Sequence, residues 1–121
     1  MIPLAELLVG ADEDFLTNAY IAVLGRWPDA GGFALNLERI RDRPEERVPM
    51  LRSMAESEEA RARGLAVAFN GPETPAPAEQ ALPAQLRLRT EFLRNQIEAV
   101  REAAQPHGAL PPGLIEEVQR T

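Results

Sequence analysis

The chain has 121 residues, enough for one domain or one small domain with an appendage, and is 45% hydrophobic but only 5% aromatic, which suits helices packed through Leu, Ala, Val and Ile. Its 19 acidic and 13 basic side chains leave a formal charge of −6, spread over both halves; no basic footprint for nucleic acid forms, and an anionic membrane surface offers no attraction. The absence of cysteine excludes disulfides, thiolate catalysis and cysteine-ligated zinc together.

Residues 3–10, PLAELLVG, predict a short opening helix with Pro3 in its first turn, Gly10 closing it, and Leu4, Leu7 and Leu8 inward. Asp12, Glu13 and Asp14 start a second helix, where negative charge favours the positive end of the macrodipole. Phe15, Leu16, Ala19, Tyr20, Val23 and Leu24 then share one broad helical face. Within YIAVLGRWPDAGG, residues 20–32, Gly25 falls where a left-handed C-cap belongs. Pro28 turns Trp27 away from helical torsions, and Asp29 is placed to accept from the free N–H groups of the next turn. Phe33, Leu37 and Ile40 give a third helix, which Asp42, Arg43 and Pro44 break. The fourth runs from Pro44 to near Glu56, with Val48, Leu51 and Met54 or Ala55 inward. Pro49 in a helix interior costs ~3 kcal/mol, which favours a short turn before a helix starting near Val48 over a bent helix. Ser57, Glu58 and Glu59 mark a further start, and Gly64 a stop. LAVAF, residues 65–69, either continues that helix or docks as an apolar strap.

Residues 70–83, NGPETPAPAEQALP, hold four prolines and read as a partly extended linker. The longest helical pattern follows, from Ala84 to Gln105. Leu86, Leu93 and Val100 recur at heptad spacing, as do Thr90, Ile97 and Ala104, while Leu88 and Phe92 broaden the apolar face. Glu91, Arg94, Glu98, Arg101 and Glu102 supply charge pairs on the other side. About two and a half heptads fall short of the three or four that establish a coiled coil. Pro106, His107 and Gly108 end the helix, and Leu114, Ile115 and Val118 suggest a last short turn. No internal repeat and no alternating strand of useful length is visible. The expected class is all-α: a compact bundle of four to five short helices over residues 1–69, a Pro-rich linker over 70–83, and a long amphipathic helix with a tail over 84–121.

The N-terminus lacks the basic region and the apolar length of a signal peptide, and no stretch approaches the roughly 18 apolar residues of a membrane span. The expectation is a chain with no membrane insertion, cytoplasmic or exported without an N-terminal signal peptide.

No residue set announces a reaction. His107, the single histidine, stands in a breaker segment with no nucleophile or orienting acid beside it. Glu56, Glu58 and Glu59 read as partners of a helix start. Asp12, Glu13, Asp14 and Asp29 lack the DxDxDG loop and distal Glu that calcium favours, and Gly31 with Gly32 lacks the lysine of a phosphate loop. No catalytic residue, metal or cofactor is expected. All 13 basic residues are arginine. That reflects either GC-rich coding or selection for bidentate contacts. Tyr20 reads as core with its hydroxyl at the rim, and Arg26 as a bridge or a solvated cation. Trp27 either closes the edge of the core or serves as a contact residue, since exposed Trp and Arg are enriched at binding hot spots.

The residues of this corner carry a family resemblance. Asp14 and Phe15, Tyr20, the run Leu24, Gly25, Arg26, then Pro28 with Asp29 and Gly32 with Phe33 resemble a small bacterial helical domain of unknown function. That family recurs in secreted repeat proteins, surface-layer-like proteins and chains that also carry glycosyltransferases. More distantly the stretch is similar to the linker domain of phycobilisomes. The likeness covers roughly residues 12–64, and Asn36 stands where members usually carry tryptophan. It implies an interaction or scaffold module without catalytic residues. The structural turn is then Tyr20, Gly25, Arg26, Pro28, Asp29 and Gly32; the candidate protein contacts are Trp27, Leu86, Leu93, Ile97 and Val100. Helix 84–105 either packs on the first domain or pairs with a partner, and a second copy of the chain is the simplest such partner. The alternative function is an accessory role in bacterial polysaccharide synthesis or in surface or secreted-protein assembly.

Overall fold

The computed structural model describes residues 1–64 and 66–104. Five short helices, α1 (Leu4–Leu7), α2 (Asp12–Ala19), α3 (Ala30–Ile40), α4 (Arg47–Ala55) and α5 (Glu58–Arg63), precede a long one, α6 (Ala78–Ala104). The class is all-α. The expected breaker at His107 and the turn at Leu114, Ile115 and Val118 lie outside the described residues.

Local chemistry accounts for most of the boundaries. α2 opens on its three acids and passes directly into a π-helical turn, Tyr20–Leu24, which ends at Gly25 with φ of +68°. Only glycine adopts that left-handed conformation at little cost. Asp29 caps α3 by accepting from the Gly32 N–H at 2.9 Å, and Ser57 caps α5 by accepting from the Ala60 N–H at 3.2 Å. A 3-10 turn, Pro44–Glu46, leads into α4, so Pro49 falls in the first helical turn. There its missing N–H has no intrahelical acceptor to lose, and the proline is tolerated.

α1 stops at Leu7, short of the expected close at Gly10, and two larger differences from the sequence reading follow. Ile2–Pro3 (β1) pairs in parallel with Val67–Ala68 (β2), Ile2 opposite Val67, and the Ile2 N–H also reaches the Ala66 carbonyl at 3.1 Å. Strands of two residues are too short to show an alternating period, so nothing in the sequence marks them. From Ala66 onward the chain has thus left the helix, and Val67 is buried as part of an apolar strap. The second difference is α6, which begins at Ala78 rather than Ala84. The Pro77 carbonyl accepts from the Gln80 and Ala81 N–H groups and opens the helix. Pro83 then sits inside it at the loss of one ladder bond, to the Glu79 carbonyl. The added residues bury Ala81, one turn ahead of the buried Ala84. The proline-rich connection is correspondingly shorter, and it lies against α1 through a 2.9 Å bond from the Ala76 N–H to the Ala5 carbonyl.

The chain divides into a unit Met1–Thr90 and a second unit from Glu91 onward. In the first, Leu4, Leu7, Phe15, Leu16, Ile40, Met50, Leu51 and Val67 form the core, with Ala84 buried among them and Leu88 packed at its edge. Two polar clamps close this unit. The buried Arg47 donates to the carbonyls of Leu8 at 2.7 Å and Gly10 at 2.9 Å and to Asp12 Oδ1 at 2.8 Å, with its guanidinium 4.6 Å from the Phe15 ring centre. The buried Gln85 donates to the carbonyls of Glu6 and Val9, each at 2.8 Å, and accepts from the Asn18 amide at 3.2 Å. Arg89 Nε completes that chain on Asn18 Oδ1 at 2.7 Å.

Candidate functional site

The corner between the π-helical turn and α3 is held by converging polar groups. Arg26 spans it: Nε donates to Glu59 Oε2 of α5 at 2.6 Å, Nη2 to Glu59 Oε1 at 3.3 Å, and Nη1 to Asp29 Oδ1 at 3.2 Å. Its guanidinium also lies 5.4 Å from the centre of the Tyr20 ring. The Arg26 bonds hold the Glu59 carboxyl below the usual carboxylate range. Asp29 is held low chiefly by the Gly32 N–H and then by Arg26. Tyr20 is buried, and its hydroxyl accepts from the Asn36 amide at 2.9 Å. Asn36 therefore does polar work on α3, tied to the Tyr20 hydroxyl.

Two of the three glycines of this corner, Gly25 and Gly32, are enforced by neighbours. A Cβ on Gly25 would lie 2.2 Å from Arg63 Nε, and one on Gly32 would lie 2.9 Å from both Asp29 Oδ1 and the Tyr20 hydroxyl. Arg63 passes beneath Gly25 to donate to the Ala22 carbonyl at 2.8 Å. That carbonyl belongs to the π-helical turn, where the regular α-ladder is interrupted. Trp27 stands on the outer side of the corner, 47% exposed.

The Arg26 guanidinium is paired with both the Asp29 and the Glu59 carboxylates, so the three charges satisfy one another. Among the described residues no three His, Asp or Glu side chains gather as metal ligands. A cleft of about 440 Å³ runs between the α1–α2 connection, the start of α4 and residues 73–78. Its charged groups are already committed, Arg47 to Asp12 and two carbonyls, and Glu73 to Arg52. The Arg47 Nε, unpartnered, is sealed from solvent and presents nothing to a ligand.

On α6 the candidate contacts are open to solvent. Leu86 is 68% exposed, Leu93 47%, Ile97 57% and Val100 68%. Soluble helices ordinarily turn such side chains inward. No helix among the described residues is long and apolar enough to cross a membrane.

Residues 8–63 match DUF4214, a domain of unknown function. No curated protein and no solved structure matches the chain. The DUF4214 match begins just after α1, takes in α2, the Gly25–Gly32 corner, α3, α4 and α5, and stops at Arg63, beneath Gly25. The strap at Val67 and the whole of α6 lie outside it.

Several residues that organise the DUF4214 stretch carry no signal in one sequence. Arg47 lies in a charged run indistinguishable from a solvated helix start. Glu59 and Arg63 read as ordinary charges of α5, although they hold the corner from 33 residues away, in the case of Glu59. Asn18 is a polar residue on an otherwise apolar helical face, the one hint that a buried polar partner exists. That partner is Gln85, 67 residues further on.

Proposed function

We propose that this chain is a non-enzymatic interaction or assembly module, in which the helical body is a rigid support and the outer stripe of α6 meets a protein partner. The observation that carries this reading is the exposure of Leu86, Leu93, Ile97 and Val100 on one long helix. Leaving that much aliphatic surface in water forgoes about 25 cal/mol per Å², which a partner would recover. The self-satisfied charges at the corner and the committed polar groups of the cleft favour contact over chemistry. Trp27 on the corner is a second contact point of the type enriched at hot spots. A place in polysaccharide synthesis or surface-protein assembly rests on the resemblance of residues 12–64 alone.

Site-specific photo-cross-linking in the native host tests the reading. A photoreactive residue at Ile97 is expected to trap a discrete protein adduct, whereas the same residue at Glu102, on the charged side of α6, traps none. Failure of both positions to give an adduct would remove the basis for an interaction module.

A further inference from the structure

The seven-residue spacing of the α6 stripe fixes which residues flank it. With Leu93 and Val100 at one core position of the heptad and Ile97 and Ala104 at the other, Arg94 and Arg101 fall on one edge of the seam, and Gln96 and Ala103 on the other. Leu93, Ile97, Val100, Arg94 and Arg101 are all exposed. The acids of this segment, Glu91, Glu98 and Glu102, fall outside the seam, and Glu98 reaches across to the edge residue Arg101 at 3.6 Å in a solvent-exposed pair, for which a partner's acid would compete.

This pattern discriminates among occupants. In a parallel pair of identical helices each edge residue faces the opposite edge of the other copy, so Arg94 would meet Arg89, and Arg101 would meet Gln96. In an antiparallel pair like edges meet, and arginine faces arginine. Neither arrangement brings an acid to the seam. An anionic bilayer is also disfavoured, because residues 91–104 carry three acids against two arginines, a balance of −1.

We propose that the seam of α6 over Leu93, Ile97 and Val100 receives an amphipathic helix of a different protein, one whose apolar stripe is edged with glutamate or aspartate facing Arg94 and Arg101. This rests on the interaction reading above and replaces self-pairing by a heterotypic partner. Complementary edge charges select the partner, and the aliphatic seam supplies the contact area.

The test uses the full chain and two synthetic helical peptides with identical Leu/Ile seams, one edged with glutamate and one with lysine. Fluorescence anisotropy should show the glutamate peptide binding at least about tenfold tighter than the lysine peptide, with the difference shrinking as salt rises. The double variant R94E/R101E should reverse the preference, and Ile97→Asp should abolish binding of both peptides. Ile97 is exposed, so an unchanged circular dichroism melt is expected for that variant and shows that it remains folded. Light scattering of the chain alone should report a monomer. Equal binding of the two peptides, or a dimer that the glutamate peptide does not displace, would overturn the heterotypic proposal and leave the interaction reading standing. Co-sedimentation with phosphatidylcholine–phosphatidylserine vesicles in place of peptide binding would overturn both. So would a chain that stays monomeric and binds neither peptide.

Discussion

Gly25 and Arg47 each hold a position that no other side chain fills, for opposite reasons. At Gly25 the constraint is an excess of matter. The left-handed torsion already disfavours a Cβ, and the space it would take holds the Arg63 guanidinium on its way to the Ala22 carbonyl. Gly25→Ala should therefore lower stability by about 1–3 kcal/mol, read as a shifted urea midpoint with an unchanged slope. At Arg47 the constraint is a deficit. Without the guanidinium, two backbone carbonyls and the Asp12 carboxylate lose their donor inside the protein. Arg47→Met should cost about 3–5 kcal/mol by the same measurement. Arg47→Lys should recover little of it, because one ammonium cannot reproduce a planar fork aimed at three acceptors.

At the scale of elements, α6 shows how the helix rules of sequence and the demands of packing compete. Four prolines in 70–83 argue for an extended connection, yet the helix enters that stretch and encloses Pro83. Packing prevails because Ala81 and Ala84 reach the buried interior and Gln85 reaches the open carbonyls of Glu6 and Val9. Pro83 itself is exposed, so Pro83→Ala should restore the bond to the Glu79 carbonyl and stabilise the protein by about 1–2 kcal/mol, visible as a raised Tm. The elements that were legible are those whose signals are local. Gly25, Pro28, Asp29, Ser57 and Gly64 mark helix ends by their own torsions and caps, and the apolar periods of α2 and α3 mark their faces. The pairing of Ile2 with Val67, the start of α6, and the partners of Asn18 and Arg26 depend on residues distant in the chain. Their signal lies in pairs of positions, which a single sequence does not reveal. The apolar heptad spacing of α6 was legible because such a repeat is local; the corner's dependence on α5 was not.

For the molecule as a whole, acid is the condition that separates these contributions. The Arg47 bond holds the Asp12 carboxyl below its ordinary value of 3.8, while Asp29 and Glu59 are held below 3.8 and 4.5 respectively. A depressed folded pKa means that the unfolded chain takes up the proton first as pH falls. The stability from these three groups is thus complete above their ordinary values and drains away as pH drops through the folded ones. Tm should hold nearly level at neutral pH and fall steeply below about pH 4. Asp12→Asn should start from a lower Tm at neutrality and fall less steeply, since its contribution to the acid slope is gone. An acid slope identical to that of the parent chain would show that Asp12 is not held low in the folded state.

The arginine threaded beneath Gly25 also constrains how such chains diverge. Positions 25 and 63 share one small volume, so bulk at 25 depends on what stands at 63. A descendant that acquires bulk at 25 is expected to have shortened the side chain at 63 first, and to have found another donor for the stranded carbonyl of Ala22. Permissive order of this kind is testable by constructing both single changes and the pair: Arg63→Ala should make Gly25→Ala milder than it is in the parent background.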